Sequence, residues 1–503
     1  MNTVTLLLQN AQKYATKPAL IFHDHVVNFA DFPAKVFRLA HALQELGLRK
    51  GDRLGVFLPN GPEFIYSYLA GFACGAVVVP LDFMLKKEEL VSCLSHCEAK
   101  IFIAQNRPDL AFAEILNEVS TLKNIIFVNH VQGEANPFQE LLDLADDSPV
   151  HVDVAESDPA LIMYTSGTTG NPKGILLTYQ HLKGSPEAMK HFVDLSDKDI
   201  KLAAIPFSHI GGFIYIQNCL VYGITLVIMD RFNPNEFLRL VDQYKVTCFH
   251  IVPPMYTALL SLKHIEKFDL SSLRWVVVFG APSSPEIMEK FHKYCPNAQL
   301  LNGWGMTETC PPNTVTPLGS KNIASVGKPS PLSEIRIVDE NDQEVAAGEI
   351  GEILIRGWIV MKEYYKDPQS TSQMKKNGWL YTGDLGRKDA EGYLYIVGRK
   401  KEMIKAAGQI VYAPEVEAVF YKNEAVLEVA VIGVPDQLRG EAVKAFVALK
   451  DGHTLSAEEL RYFAREHLAN FKVPQSIEIR TNLPKNRTGK IDKELLKQEA
   501  LAR

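Results

Sequence analysis

The 503-residue chain lacks any excess of positive charge. Its formal net charge is −6, its lysines and arginines are dispersed among acids, and binding along a nucleic-acid backbone needs a basic stripe. Any polyanionic ligand must therefore meet a local cluster of cations. The chain also lacks an unbroken apolar run of membrane-spanning quality: its most apolar stretch, Phe64 to Leu81, contains Gly75 and Pro80 and is flanked by Glu63 and Asp82. That stretch reads as a buried helix followed by a buried strand. The opening "MNTVTLLLQNAQKYATK" has no charged n-region and no small-residue cleavage site, so it is expected not to be a signal peptide. Cysteines number seven, an odd count that suits a reducing cytoplasm better than a disulfide framework. Cys93, His96 and Cys97 could ligate a metal, but no second pair with finger-like spacing follows, and an ordinary helix surface is the preferred reading. Internal repeats, low-complexity tracts and long linkers are missing as well.

What is present is an ordinary globular composition, 47% apolar and 22% charged, in a chain too long for one hydrophobic core. Val36, Leu39, Leu43 and Leu46 recur at helical spacing before Gly47, a C-cap signal. Short apolar runs such as "RLGVFL", "AVVVPL", "AKIFIAQ", "NIIFVN", "TLVIMD", "CFHIVP" and "RWVVVFG" alternate with amphipathic stretches, the pattern of a doubly wound parallel sheet. From Pro331 the strands crowd together, and beyond "GYLYIVGRKKEMIK" a compact unit follows, with a capping box at Ser456 to Glu459. The expected fold is α/β. A large N-terminal domain, residues 1–400, holds doubly wound sheets and a small β-rich subdomain at about 331–397, and a smaller α+β C-terminal domain covers 401–503.

"YTSGTTGNPKG", Tyr164 to Gly174, lies between two strand-like runs, "ALIMY" and "GILLT", so the loop is expected to cap a hairpin. Its glycines allow backbone N–H groups to converge, the hydroxyls of Thr165, Ser166, Thr168 and Thr169 add donors, and Lys173 adds charge. A P-loop would continue with Ser or Thr and a helix; here Gly174 and a strand follow. The alternatives at this point are an anion nest and a plain Gly/Ser/Thr turn.

The loop resembles the signature of the adenylate-forming superfamily of acyl- and aryl-CoA synthetases, luciferases and peptide-synthetase adenylation domains. The resemblance extends in order through "PFSHIGGF", "VFGAPSSPE", "NGWGMTET", "YTGDLG", "GRKKEMIKAAGQIVYAPEVE" and "LPKNRTGK", and is strongest to fatty acyl-CoA synthetases. It implies that a carboxylate attacks the α-phosphate of ATP, pyrophosphate leaves, and a thiol, usually coenzyme A, takes the acyl group. Mg²⁺ and placed lysines then offset the triphosphate charge.

By the same resemblance, Thr165, Ser166, Gly167, Thr168, Thr169, Gly170 and Lys173 wrap phosphates. Glu308 binds Mg²⁺, with Thr165 as a second ligand, and Thr307 contacts phosphate. Asn302, Gly303, Trp304, Gly305 and Met306 accompany the nucleotide, Trp304 beside the adenine, where tyrosine is commoner. Gly280, Ala281 and Pro282 line the adenine and acyl pocket, Asp384 holds the ribose hydroxyls with Arg399 as companion, and His209 guards the passage to the thiol. Lys490 orients the attack and stabilises developing charge. Lys401 is the implied hinge of a mobile C-terminal domain, and Gly408 then lines the pantetheine channel.

The segments expected to form the acid pocket are dominated by Phe, Ile, Val, Met and Tyr with no evident lysine or arginine deep inside. That favours an apolar acyl tail, a medium- or long-chain fatty acid. An aryl-acid CoA ligase, an acyl-AMP ligase loading a carrier protein, and a silent ATP-binding scaffold are the other readings. Peripheral membrane contact and homo-oligomerisation stay open.

Overall fold

A computed structural model describes residues 2–128, 137–165, 173–280, 285–406, 408–436, 440–485 and 491–501. The chain divides into two compact units: residues 1–334 with 356–378, and 335–355 with 379–503. Lys401 lies inside the second unit.

The first unit carries two sheets. In the seven-stranded sheet, Pro159–Thr165, Val77–Pro80, Arg53–Phe57, Ala99–Ala104 and Asn124–Phe127 run parallel, and Lys173–Thr178 and Glu363–Tyr364 add an antiparallel edge. In the nine-stranded sheet, Pro18–Phe22, Thr225–Ile228, Ile200–Ala203, Cys248–Ile251, Trp275–Val278 and Gln299–Trp304 run parallel in that spatial order. Both sheets are covered on both faces, which is why their strands read as continuous apolar runs.

The apolar stretch noted above folds as helix Pro62–Ala73 and strand Val77–Pro80, almost wholly buried. Gly75, at φ +68°, makes the turn between them. Helix Lys87–Cys97 corrects one expectation: Cys93 and Cys97 do not sit on a helix surface but fill the core under the seven-stranded sheet. His96 instead pairs its Nδ1 with the Tyr164 hydroxyl at 2.7 Å. All seven cysteines are buried free thiols, and among the described residues no helix is long and apolar enough to cross a membrane.

In the second unit, Gly351–Arg356, Trp379–Lys388 and Leu394–Arg399 form an antiparallel sheet. A further sheet contains Met403–Ala406, Gln409–Tyr412, Val426–Asp436, Gly440–Leu449 and Ser476–Arg480. Alternation along its long strand explains the packing. Val429 and Val431 face a core with Val416, Phe420 and Leu460, while Ala430 and Ile432 face Leu483 and Leu496. The capping box is present: Ser456 Oγ accepts from the Glu459 N–H at 3.2 Å, and Glu459 accepts from the Ser456 N–H at 2.8 Å.

Candidate active site

The glycine-rich loop does cap a hairpin. Strands Pro159–Thr165 and Lys173–Thr178 pair antiparallel, ending on Tyr164 opposite Gly174 and Thr165 opposite Lys173. The absent side chain of Gly174 makes room for Ile162 and the Tyr164 ring, which would meet a Cβ at 3.0 and 3.3 Å. Tyr164 anchors the entering strand, its hydroxyl also reaching the Cys93 carbonyl at 3.2 Å. Ser166, Gly167, Thr168, Thr169 and Gly170 lie outside the described residues, as do Ala281, Pro282 and Lys490.

Lys173 Nζ donates to Ser370 Oγ at 2.9 Å and stands 5.2 Å over the ring of Tyr364. On the other side of that tyrosine is Glu308, whose Oε1 accepts the Tyr364 hydroxyl at 2.8 Å. Glu308 is not a solvent-exposed acid at a helix start: it is 9% exposed, within the 3₁₀ turn Thr307–Thr309. Its carbonyl accepts from the Met361 N–H at 2.7 Å. The loop lysine and the acidic residue, far apart in sequence, are thus brought to one tyrosine. Burial, together with the Glu308 charge, raises the Tyr364 pKa, so this phenol remains a donor.

The turn is set by what precedes it. Strand Gln299–Trp304 ends in a nearly buried Trp304, and Asn302, fully buried, donates from Nδ2 to the Ile323 carbonyl at 2.7 Å. Gly303 is obligatory, since a Cβ there would lie 2.2 Å from the Phe279 ring, and at Gly305 it would lie 2.5 Å from Pro311. Met306 accepts from the Thr309 N–H at 3.0 Å and closes the turn. Gly280 follows strand Trp275–Val278 at φ +86°, at the carboxyl end of the parallel strands where open α/β sheets bind ligands.

His209 caps helix Ile210–Tyr222. Its Nε2 lies 3.3 Å from Asp82 Oδ2, an ion-pair distance whose angles fall outside hydrogen-bond geometry. It is part-exposed rather than a sealed core histidine.

Tyr364, Asp367 and Ser370 were missed by sequence reasoning. Asp367 caps helix Pro368–Met374 by accepting from the Ser370 N–H at 2.8 Å, and its bonds from Ser370 hold its carboxyl below the ordinary range. The Asp-Pro pair in "YYKDPQST" is a helix-start signal. Nothing in it points to Lys173 or Glu308.

In the second unit, Asp384 sits within strand Trp379–Lys388. It is cross-strand to Arg399 and 5% exposed, with Arg399 Nε 3.0 Å from Oδ1. Lys401 lies in the 3₁₀ turn Lys400–Glu402, its Nζ 3.3 Å from Glu494. Gly408, at φ +78° with open space where a Cβ would stand, turns Met403–Ala406 into Gln409–Tyr412.

A half-buried lysine and a buried carboxylate that meet at one tyrosine, mounted on doubly wound sheets whose strand ends are the usual ligand site, fit a nucleotide-handling enzyme. Residues 7–365 match the AMP-binding enzyme family and 415–490 its C-terminal domain, and the chain belongs to that family. It is 34% identical to a long-chain-fatty-acid–CoA ligase of Bacillus subtilis, over 98% of this chain and 94% of that one. It is also 34% identical to a feruloyl-CoA synthase of Amycolatopsis, over 92% of each. Among solved structures, ATP-bound MatB from Rhodopseudomonas palustris matches with a TM-score of 0.91 at 28% identity, over 99% of both chains.

Proposed function

We propose that the chain is an AMP-forming acid–CoA ligase, and the observation that carries this is Tyr364 holding Glu308 by hydrogen bond under the Lys173 ammonium. The enzyme activates a carboxylic acid as acyl-AMP with release of pyrophosphate, then passes the acyl group to coenzyme A. Lys173 and the glycine-rich loop bind phosphate oxygens. The oxygen donors Glu308 and Thr165 suit Mg²⁺, which supplies charge neutralisation of the triphosphate when bound. Trp304 packs by the adenine, and Asp384, oriented by Arg399, accepts from the ribose hydroxyls. Lys490 aligns carboxylate and α-phosphate. A C-terminal domain beginning near Lys401 reorients between half-reactions and brings Gly408 to the pantetheine path.

The acid is largely apolar, a medium- or long-chain fatty acid, as the name of the Bacillus relative suggests; the feruloyl relative supports an aryl acid as the second reading. Seven buried thiols suit a cytoplasmic setting. The test is pyrophosphate release across acetate, medium-chain, long-chain and aromatic acids, with and without coenzyme A. Release with stoichiometric thioester is the expected result. Release without coenzyme A consumption would convert the reading to an acyl-AMP ligase, and no release with any acid would overturn it.

A further inference from the structure

The segments expected to line the acid pocket carry no lysine, but the neighbouring strand Ile200–Ala203 does. Lys201 is fully buried, and its Nζ has no hydrogen-bond partner. It stands 5.4 Å over the ring of Tyr215 and 5.1 Å over that of Trp275. Asp199, the carboxylate that favours its charge, makes no ion pair with it and is held at 2.6 Å by Arg274. Its strand partner Cys248 is a thiol whose pKa burial pushes to about 12, hence neutral.

Lys201 is not alone. His250 is fully buried and stacked on Tyr215 at 3.9 Å between centroids. His250 Nε2 lies 2.6 Å from the Gly211 carbonyl and donates to it, while Nδ1 has no partner. Trp275 Nε1 and both amide atoms of Asn218 are buried and unpartnered too. Gly211, Tyr215 and Asn218 share one helical face, the face that meets His250 and Lys201. A buried layer between helix Ile210–Tyr222 and the sheet therefore collects a cation, an amide, an indole N–H and an imidazole with no protein partner for these atoms. Buried polar groups are almost always paired.

This layer leads back to the nucleotide motif. The Phe279 ring stands 5.9 Å from His250 and fills the space left by Gly303. From Gly280 to Trp275 the strand direction spans ~16 Å at ~3.3 Å per residue. Resting on the ligase reading above, we propose that Lys201 is a specificity-determining residue that receives a second carboxylate at the far end of the acid. Within the largely apolar acids proposed above, the preferred substrates are then medium-chain acids whose alkyl chain ends in a distal carboxylate. The ring of Tyr215 fills the layer, and the acid's far end displaces it. Burial has already lowered the Lys201 pKa to about 8, and an anion beside it restores the ammonium.

The test pairs acids of matched length: hexanoate, octanoate and decanoate against adipate, suberate and sebacate, with aryl acids alongside, in the full-length enzyme and its Lys201→Met and Asn218→Leu variants. The diacid is expected to exceed its monoacid in kcat/KM by about tenfold or more. Lys201→Met is expected to invert that preference, and Asn218→Leu to weaken it, each leaving KM for ATP unchanged. A wild-type preference for monoacids, or a diacid preference retained in Lys201→Met, would overturn the assignment while the ligase reading stands. Silence toward every acid would overturn that reading, and the assignment with it.

Discussion

Glu308 in the first unit and Asp384 in the second are both acids taken out of water, 9% and 5% exposed, yet they are held differently. Asp384 faces a guanidinium at 3.0 Å, whereas the bond Glu308 receives from Tyr364 comes from a neutral phenol and adds no positive charge. A carboxylate opposite arginine is fixed in direction and partly neutralised. A bond from a phenol also fixes direction, but by itself neutralises nothing. On the function proposed above, the two environments suit two tasks that look alike in sequence: presenting hydrogen-bond acceptors, and compensating phosphate charge through a metal.

The largest expected effect breaks that pairing from outside. Lys490→Ala should lower acyl-adenylate formation about 10²–10³-fold, the scale for losing a preorganised electrostatic contact, while transfer from supplied acyl-AMP to coenzyme A persists. Equal loss in both half-reactions would refute the division of labour. Next, Glu308→Gln keeps the shape and the bond from Tyr364 but removes the charge. Pyrophosphate release should fall about 10²-fold, with a flattened dependence on Mg²⁺ concentration. Asp384→Asn should instead act mainly on KM for ATP, raising it about tenfold through one weakened charge-assisted contact. Should the two variants show the same kcat and KM pattern, the contrast drawn above is wrong. Lys401→Pro sharpens the comparison between half-reactions: adenylation is spared and thioester formation slows in single-turnover assays.

The last prediction concerns stability rather than turnover. Lys201 has its pKa lowered by burial from 10.5 to about 8, so in that interval the unfolded chain binds more protons than the folded one. Stability therefore rises with pH from about 8 to 10.5, by about 3 kcal/mol in total for this group, and the penalty is complete below 8. The melting temperature of Lys201→Met relative to wild type should be highest below pH 8, the gap closing toward pH 10.5. A constant gap would mean that the ammonium is not desolvated.

Much of this architecture was legible because it is written in local periodicity. The alternating runs, the hairpin around the glycine-rich loop and the Ser456 capping box all depend on neighbours within a few positions. The site's second layer was not legible. Tyr364 reaches Glu308 across 56 positions, and no spacing rule connects them. Lys201 carries no local signal of its burial; only the packing of Tyr215 and Trp275 over it reveals a buried cation. Cys93 and Cys97 were expected on an ordinary helix surface, but their i, i+4 spacing is the inward stripe of a helix. Asp384 is the intermediate case: the motif named Arg399 as its companion, but not that Gly383, at φ +70°, bends the chain within the strand that carries it.

The buried thiols have a use of their own. Burial pushes Cys74, Cys97, Cys219, Cys248 and Cys295 up to about 12, so the native protein presents almost no thiolate to an alkylating reagent. All seven cysteines fall between residues 74 and 310. Maleimide incorporation therefore clocks the breathing of one half of the molecule and is blind to the other, a regional stability probe that needs no engineered label.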